Sequence, residues 1–415
     1  MNLKFPKGFY FGASTSSHQV EGYGNNDWTE WEKSNAERLA KNAQNDPPAG
    51  GWPDFILNSY PSPLDPKNYI SGRACDHYNR FNEDFDIAKS LGHNAHRMSV
   101  SWSKVEPEEG KFDEKVLEHY YQVAKTLRDR GMEPFVTLWH WPLPLWLVKK
   151  GGWEASQAPE YFARYSVRVV TALNQHINFW VTLNEPEIYA VHGYFQGTWP
   201  PGKKSMIRTQ LVLYRMGKAH RLAYLAIKKI DSNKQVGFAT NNTHFKSYGG
   251  FINTCLRYIA DKRWNHSIFR YTSGTLDFVG VNYYFHRTID WRGRHFKNKI
   301  TSDVDWQIDP QGLYYVLMDL KRYKKPIYIL ENGIADMRDV YRTHFIEQHL
   351  ESVARAIEEG VPVKGYFYWS LLDNFEWSKG FWPRFGLVEI DYKTLERKIR
   401  PSAWKYKEII DQSKK

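Results

Sequence analysis

Tyr328-Ile329-Leu330-Glu331-Asn332-Gly333 and Thr182-Leu183-Asn184-Glu185-Pro186 each run β-forming residues into a carboxylate and then into a chain breaker. Such a run reads as a buried strand that stops abruptly with its glutamate at the C-terminal tip. Working outward from these two strings, short apolar runs recur along the whole chain, at residues 9–12, 94–99, 133–138, 178–183, 235–239, 276–282, 326–330 and 363–369. Longer stretches with apolar residues at helical spacing lie between them, among them 116–130, 158–173, 209–230 and 343–359. Eight strands, each followed by a helix or a long loop, predict an α/β fold: a single closed parallel (β/α)8 barrel over residues 1–415, with its active site at the C-terminal ends of the strands. No Gly/Ser linker or sustained shift of composition divides the chain. Residues 46–66, rich in Pro and Gly, read as a long surface loop.

On this map the chemically capable residues fall at strand tips. Strand one leads to Gln19, strand two carries Arg97, strand three ends at His140, strand four at Asn184 and Glu185, strand six at Asn282 and Tyr284, and strand seven at Glu331. Strand eight ends at Trp369 and is soon followed by Glu376 and Trp377. A single His or Asn at a strand tip is more often a satisfied core residue, but convergence from seven strands on one mouth points to a site. Two carboxylates from different strand tips are what cleavage of a glycosidic bond uses, one to protonate the leaving oxygen and one to attack or to activate water. The 17 Trp, 27 Tyr and 23 Phe also suit a ligand with apolar C–H faces and hydroxyl edges, as a sugar has.

The remaining features exclude more than they suggest. The balance of 57 Lys+Arg against 46 Asp+Glu gives +11, but the basic residues are interspersed with acids and the densest runs, Lys324-Lys325 and Lys414-Lys415, are two long. That is no nucleic-acid footprint, which should be clustered. Cys75 and Cys255 are the only cysteines, too few for a disulfide framework or a zinc set, and Cys75-x-His77 lacks a partner pair. No metal and no cofactor are expected. Gly197 to Lys203 mimics the start of a phosphate-binding loop, but Lys204 stands where Ser/Thr is required and Pro200 and Pro201 lack the N–H groups that cradle phosphate. The start Met1-Asn2-Leu3-Lys4-Phe5-Pro6 has no apolar signal core, and no stretch reaches the ~18 apolar residues of a membrane span. A cytoplasmic protein without membrane contact is expected, so the sequons at Asn241 and Asn265 read as chance matches. Oligomeric state is left open, a homo-oligomer included.

Five strings in order carry a family resemblance: Phe11-Gly12-Ala13-Ser14-Thr15-Ser16-Ser17-His18-Gln19-Val20-Glu21-Gly22, Thr182 to Pro186, Glu331-Asn332-Gly333, Trp369-Ser370-Leu371-Leu372-Asp373-Asn374-Phe375-Glu376-Trp377, and Arg384-Phe385-Gly386-Leu387-Val388. From about Phe5 to Arg400-Pro401-Ser402-Ala403 the chain resembles glycoside hydrolase family 1, the β-glucosidase and β-galactosidase group. The resemblance implies an exo-acting, retaining double displacement on small β-glycosides and oligosaccharides, with Glu331 as nucleophile and Glu185 as acid/base, the carboxylates roughly 5–5.5 Å apart. Arg97 and Tyr284 are expected to hold Glu331 ionised, while burial and repulsion keep Glu185 neutral. The resemblance also assigns substrate binding to Gln19, His140, Asn184, Asn282, Glu376, Trp377 and Phe385, an aromatic floor to Trp369, and stacking on the aglycone to Trp306. Glu376 argues for unphosphorylated sugars, since a carboxylate accepts hydroxyls and repels a phosphate dianion. Glu185 argues against the thioglucoside-cleaving members, which carry glutamine there.

Two departures from the family pattern concern the cleft mouth. Residues 243–276 are short for the connection between strands five and six, and 334–341 is compact, so the aglycone side is expected to be open. Glucosides lead, with β-galactosides and β-fucosides beside them. The alternatives are a family-1 barrel working mainly as a transglycosylase, and a non-catalytic sugar-binding relative, which would normally have lost a catalytic glutamate.

Overall fold

The computed structural model describes residues 3–48, 51–272, 274–294 and 300–413; Met1, Asn2 and the Lys414-Lys415 pair lie outside the described residues. Eight parallel strands close into a barrel: β1 Tyr10–Ser14, β2 Ala95–Ser99, β3 Glu133–Trp139, β4 Phe179–Asn184, β5 Gln235–Asn241, β6 Phe278–Asn282, β7 Ile327–Asn332 and β8 Val363–Trp369. Each strand pairs with its sequence neighbours and β8 closes on β1, Tyr10 opposite Gly365 and Ser14 opposite Trp369. All eight expected strands are present, but several run further at their C-terminal tips: β1 by two residues, β5 to Asn241 and β7 to Asn332. The stretch 46–66 is not all loop, because it contains the short helix Asp54–Leu57. The connection between β5 and β6 is likewise structured, with strand His244–Ser247 and helix Phe251–Trp264.

Two hydrophobic layers follow from the strand alternation. Outward-facing residues of the strands pack beneath the helix ring, where Ala158–Leu173 lies against Met206–Ile230. Inward-facing Ala95, Phe135, Phe179, Val181, Ala239, Phe278, Tyr328, Leu330 and Phe367 fill the barrel, with Phe135 and Phe179 stacked at 4.2 Å between ring centroids. This plug makes the barrel a packed core with no passage through it, so ligand chemistry is confined to the open end. Among the described residues no helix is long and apolar enough to cross a membrane.

The regular alternation breaks where the two glutamates sit. Between β4 and β5 the register passes from Val181 opposite Gly237 to Asn184 opposite Ala239, three residues against two. Between β6 and β7 it passes from Val281 opposite Ile329 to Asn282 opposite Glu331, one against two. Each glutamate-bearing strand therefore carries one extra residue just before its tip. Such a bulge re-aims the side chains that follow. Asn184 and Glu331, which strict alternation would turn outward, are turned into the barrel mouth.

Several residues of the sequence strings brace this end. A Cβ on Gly333 would stand 1.8 Å from the Trp369 carbonyl oxygen, so only glycine lets β7 and β8 approach there. Asn332 ties the neighbouring strands, its Nδ2 donating to the Tyr283 carbonyl at 2.6 Å and its Oδ1 accepting from the Tyr366 hydroxyl at 2.8 Å. Buried Asp373 accepts both Arg400 guanidinium nitrogens, at 3.0 and 2.9 Å, and the Gly386 N–H at 2.9 Å. That network pins the loop which carries Glu376.

Candidate active site

Glu185 caps the tip of β4 in a left-handed conformation, φ 42°, with its N–H donating to the Ala239 carbonyl at 2.8 Å. A non-glycine residue held there is strained, and in this conformation the carboxyl lines the cavity at the barrel mouth. Its Oε1 accepts from Asn241 Nδ2 at 3.0 Å and Asn282 Nδ2 at 2.9 Å. Glu331 is supported differently: the Arg97 guanidinium pairs with Oε1, and the Tyr284 hydroxyl donates to Oε2 at 2.7 Å. Arg97 is fully buried and also donates to Asn184 Oδ1 at 2.7 Å and Thr137 Oγ1 at 3.1 Å. Asn282 donates to Asn184 Oδ1 as well, at 3.1 Å, so both carboxyls hang on one connected network.

The two acids differ in electrostatic setting. Burial lifts the Glu185 carboxyl well above the usual range, and the nearby Glu331 charge lifts it further. Burial also raises Glu331, but Arg97 and the Tyr284 hydroxyl oppose that rise. Tyr284 itself is pushed well above 10 by burial and the facing carboxylates, so it remains a neutral donor. Of the two carboxyls, Glu185 is therefore the more strongly raised and holds its proton to higher pH. His140 is buried and held well below its usual range by desolvation, hence neutral. Asn184 Nδ2 lies 3.0 Å from its Nε2, and its Nδ1 has no protein partner.

A cavity of about 400 Å³ opens above this network, lined by Glu185, Glu331, His140, Tyr284, Trp306, Trp369, Glu376 and Trp377 among others. Arg97, Gln19, Asn184 and Asn282 lie fully buried beneath that wall. Gln19 joins the loop after β8 to the floor, its Nε2 donating to the Phe375 carbonyl at 2.8 Å and reaching Glu376 Oε2 at 3.4 Å. Phe385 is also buried, packed edge-on to Tyr284 at 6.3 Å and against Trp306 at 6.0 Å, so it shapes the wall from behind. Glu376 is pushed up to about 8 by burial and by the Glu331 charge. Its negative charge therefore opposes a phosphate dianion only above about pH 8; below that, the neutral acid both donates and accepts hydrogen bonds but repels a dianion little.

Sequence reasoning passed over several residues that belong here. Asn241, noted only as a sequon, donates to Glu185; with β5 ended at Ala239, nothing placed it at a tip. Glu187 accepts the Asn241 N–H and is pushed up to about 8 by burial. His192, Trp199, Trp264, Phe285, Arg287 and Lys379 also line the cavity, beside Trp141 at the tip of β3. The Cys75-x-His77 pair serves structure: the Cys75 thiol donates to the Asp373 carbonyl at 2.9 Å, and His77 Nδ1 pairs with Asp84 at 2.7 Å.

A closed (β/α)8 barrel with two buried glutamates at separate strand tips, under an aromatic-walled cavity, defines a barrel glycoside hydrolase. The chain belongs to glycosyl hydrolase family 1, whose profile matches residues 1–249 and 262–415. It is 31% identical to the 1,4-beta-D-glucan glucohydrolase of Thermotoga neapolitana, over 98% of each chain. It is also 31% identical to beta-glucosidase A of Thermotoga maritima, covering 99% of this chain and 98% of the relative. Among solved structures, the beta-glycosidase from Pyrococcus horikoshii superposes with a TM-score of 0.86 at 34% identity, over 100% of this chain and 96% of that one. The Thermotoga maritima beta-glucosidase in complex with glucoimidazole gives 0.84 at 28%, over 99% of both.

Proposed function

We propose that this hydrolase is a retaining, exo-acting β-glycosidase that removes terminal β-D-glucosyl residues, and β-galactosyl and β-fucosyl residues beside them. The observation that carries the reading is the unequal support of the two carboxyls: an arginine and a phenol behind Glu331, two amides and a neighbouring negative charge at Glu185. Glu331 attacks the anomeric carbon while the bond to the leaving oxygen breaks and Glu185 delivers its proton to that oxygen. Water then attacks the glycosyl-enzyme, its proton passing to the Glu185 carboxylate, and Glu331 leaves with the configuration retained. The glycosidase names of the relatives support the substrate class. The same reading puts the enzyme in the cytoplasm, where Cys75 and Cys255, both free thiols, stay reduced.

A 2-deoxy-2-fluoro β-glucoside with a good leaving group tests the mechanism, because fluorine slows both steps while the leaving group keeps the first accessible. The expected outcome is a stable adduct mapped to Glu331, with β-glucosides cleaved and α-glucosides inert. An inverted anomer as first product, or a label on another residue, overturns the double displacement.

A further inference from the structure

The outer part of the cavity holds two cations that the catalytic scheme does not use. Arg287 and Lys379 both line it, both are exposed, and neither makes a side-chain hydrogen bond or ion pair among the described residues. They lie close enough to His192, on the same wall, to depress its protonation after burial has done so. Arg287 is fixed by rings, its guanidinium 5.4 Å from the Trp264 centroid and 5.7 Å from that of Phe285. Phe285 in turn meets Trp306 at 5.2 Å, continuing the aromatic wall. A guanidinium held beside rings, without a hydrogen-bond partner among the described residues, keeps its N–H groups available for a planar anion. The three acids of the cavity, Glu185, Glu331 and Glu376, belong to its floor; Lys379 feels Glu376 and Asp305, whereas no carboxylate acts on Arg287, which makes Arg287 the principal cation.

We propose that the outer cleft selects β-glycosides whose leaving group is a flat apolar body bearing a carboxylate, the rings taking the body and Arg287, assisted by Lys379, taking the anion. Trp264, which ends the helix Phe251–Trp264, closes the ring wall beside Arg287. The proposal rests on the β-glycosidase reading above and narrows its substrate class.

The test compares 4-carboxyphenyl β-D-glucoside with its neutral methyl ester on the full-length enzyme, as a ratio of kcat/KM. That ratio should fall about tenfold in Arg287→Met, the scale of one lost charge-assisted hydrogen bond, and by a smaller factor in Lys379→Met. In the unaltered enzyme it should also shrink as salt is raised. Taking ratios within each variant cancels the intrinsic difference between the two leaving groups. A ratio unchanged in both variants overturns the proposal, as does a gain for 4-nitrophenyl β-D-glucuronide that depends on Arg287, which would place the cations on the sugar side. Normal cleavage of the ester without charge dependence sinks this proposal alone, whereas a folded enzyme inert on both compounds sinks the β-glycosidase reading beneath it.

Discussion

The floor of the cleft and its mouth are built on opposite plans. At the floor, Arg97 is shared among Glu331, Asn184 and Thr137, and Asn282 is shared between Asn184 and Glu185. Two buried floor atoms without protein partners are His140 Nδ1 and Asn282 Oδ1. The mouth is made of ring contacts: Tyr284 and Trp306 at 5.3 Å, Trp306 and Phe285 at 5.2 Å, His192 and Trp199 at 4.2 Å. A network in which each side chain holds the next fixes one geometry, as transition-state binding requires. A ring-lined wall discriminates weakly by shape. Changes at the floor should therefore alter chemistry on every substrate, and changes at the mouth should alter only the choice of leaving group.

The largest effect should come from Glu185→Ala. Substrates with poor leaving groups should lose roughly 10²–10⁴-fold in the first step, and activated aryl glycosides far less, because they hardly need a proton. In the parent enzyme kcat/KM should fall as pH rises through the raised Glu185 pKa, since the protonated form is the active acid. That alkaline limb should vanish in the variant, while added azide restores turnover as the β-glycosyl azide. Equal losses on both substrate types, without an azide product, would assign the acid elsewhere.

Why the floor is legible in the sequence and most of the mouth, Trp306 and Tyr284 apart, is not follows from where each sits on the chain. Asn184, Glu185, Asn282 and Glu331 end runs of β-formers, so alternation and chain breakers announce them. The bulges were not legible, because an extra residue such as Leu330 changes the facing of a strand without changing its composition. Asn241 stands two residues beyond the apolar run that ends at Ala239, so the pattern does not mark it as a strand tip. The mouth residues Trp264, Phe285 and Arg287 lie in connections, where no periodicity reports which side chain turns toward the cavity. Phe385 shows the converse: it stands in a string that marks the site, yet the structure buries it behind the wall.

A second test of the floor concerns Glu376, which the family resemblance assigns to substrate binding; the partners proposed for it are the sugar 4- and 6-hydroxyls. Glu376→Gln should cost about 1.5–3 kcal/mol of transition-state binding on β-glucosides and β-galactosides when the carboxyl is ionised. Because Glu376 is pushed up to about 8, the loss should be smaller at pH 6, where glutamine replaces a neutral acid, and should grow as pH rises past 8. The β-fucoside shares the axial 4-hydroxyl of the galactoside but lacks the 6-hydroxyl, so the fucoside-to-galactoside ratio should rise in the variant. A constant ratio with a lowered unfolding temperature would make Glu376 a brace.

Asn241→Ala should be milder, costing about 1–2 kcal/mol because one of two amide donors to Glu185 is lost. The sign of its pH effect is the sharper readout. That hydrogen bond favours the charged form of Glu185 and so lowers its pKa; removing it raises the pKa further. The alkaline limb should move to higher pH even as the rate falls. A limb that stays in place would mean that Asn241 holds the β5 tip without touching the proton balance.

The smallest expected effect lies at the mouth, in Trp306→Ala. Its ring meets Tyr284, Phe285 and Phe385, and none of these contacts belongs to the hydrogen-bonded network that supports the two glutamates. Loss of one stacking surface should cost roughly 0.5–1.5 kcal/mol on aryl glucosides. It should appear as a raised KM with kcat nearly constant, because a stack made equally in ground and transition states is uniform binding. Methyl β-glucoside, which has nothing to stack, should be cleaved as well as by the parent enzyme. If methyl and aryl glucosides lose equally, Trp306 acts through Tyr284 on the floor, and the division between a network that does chemistry and a wall that chooses the aglycone does not hold at this residue.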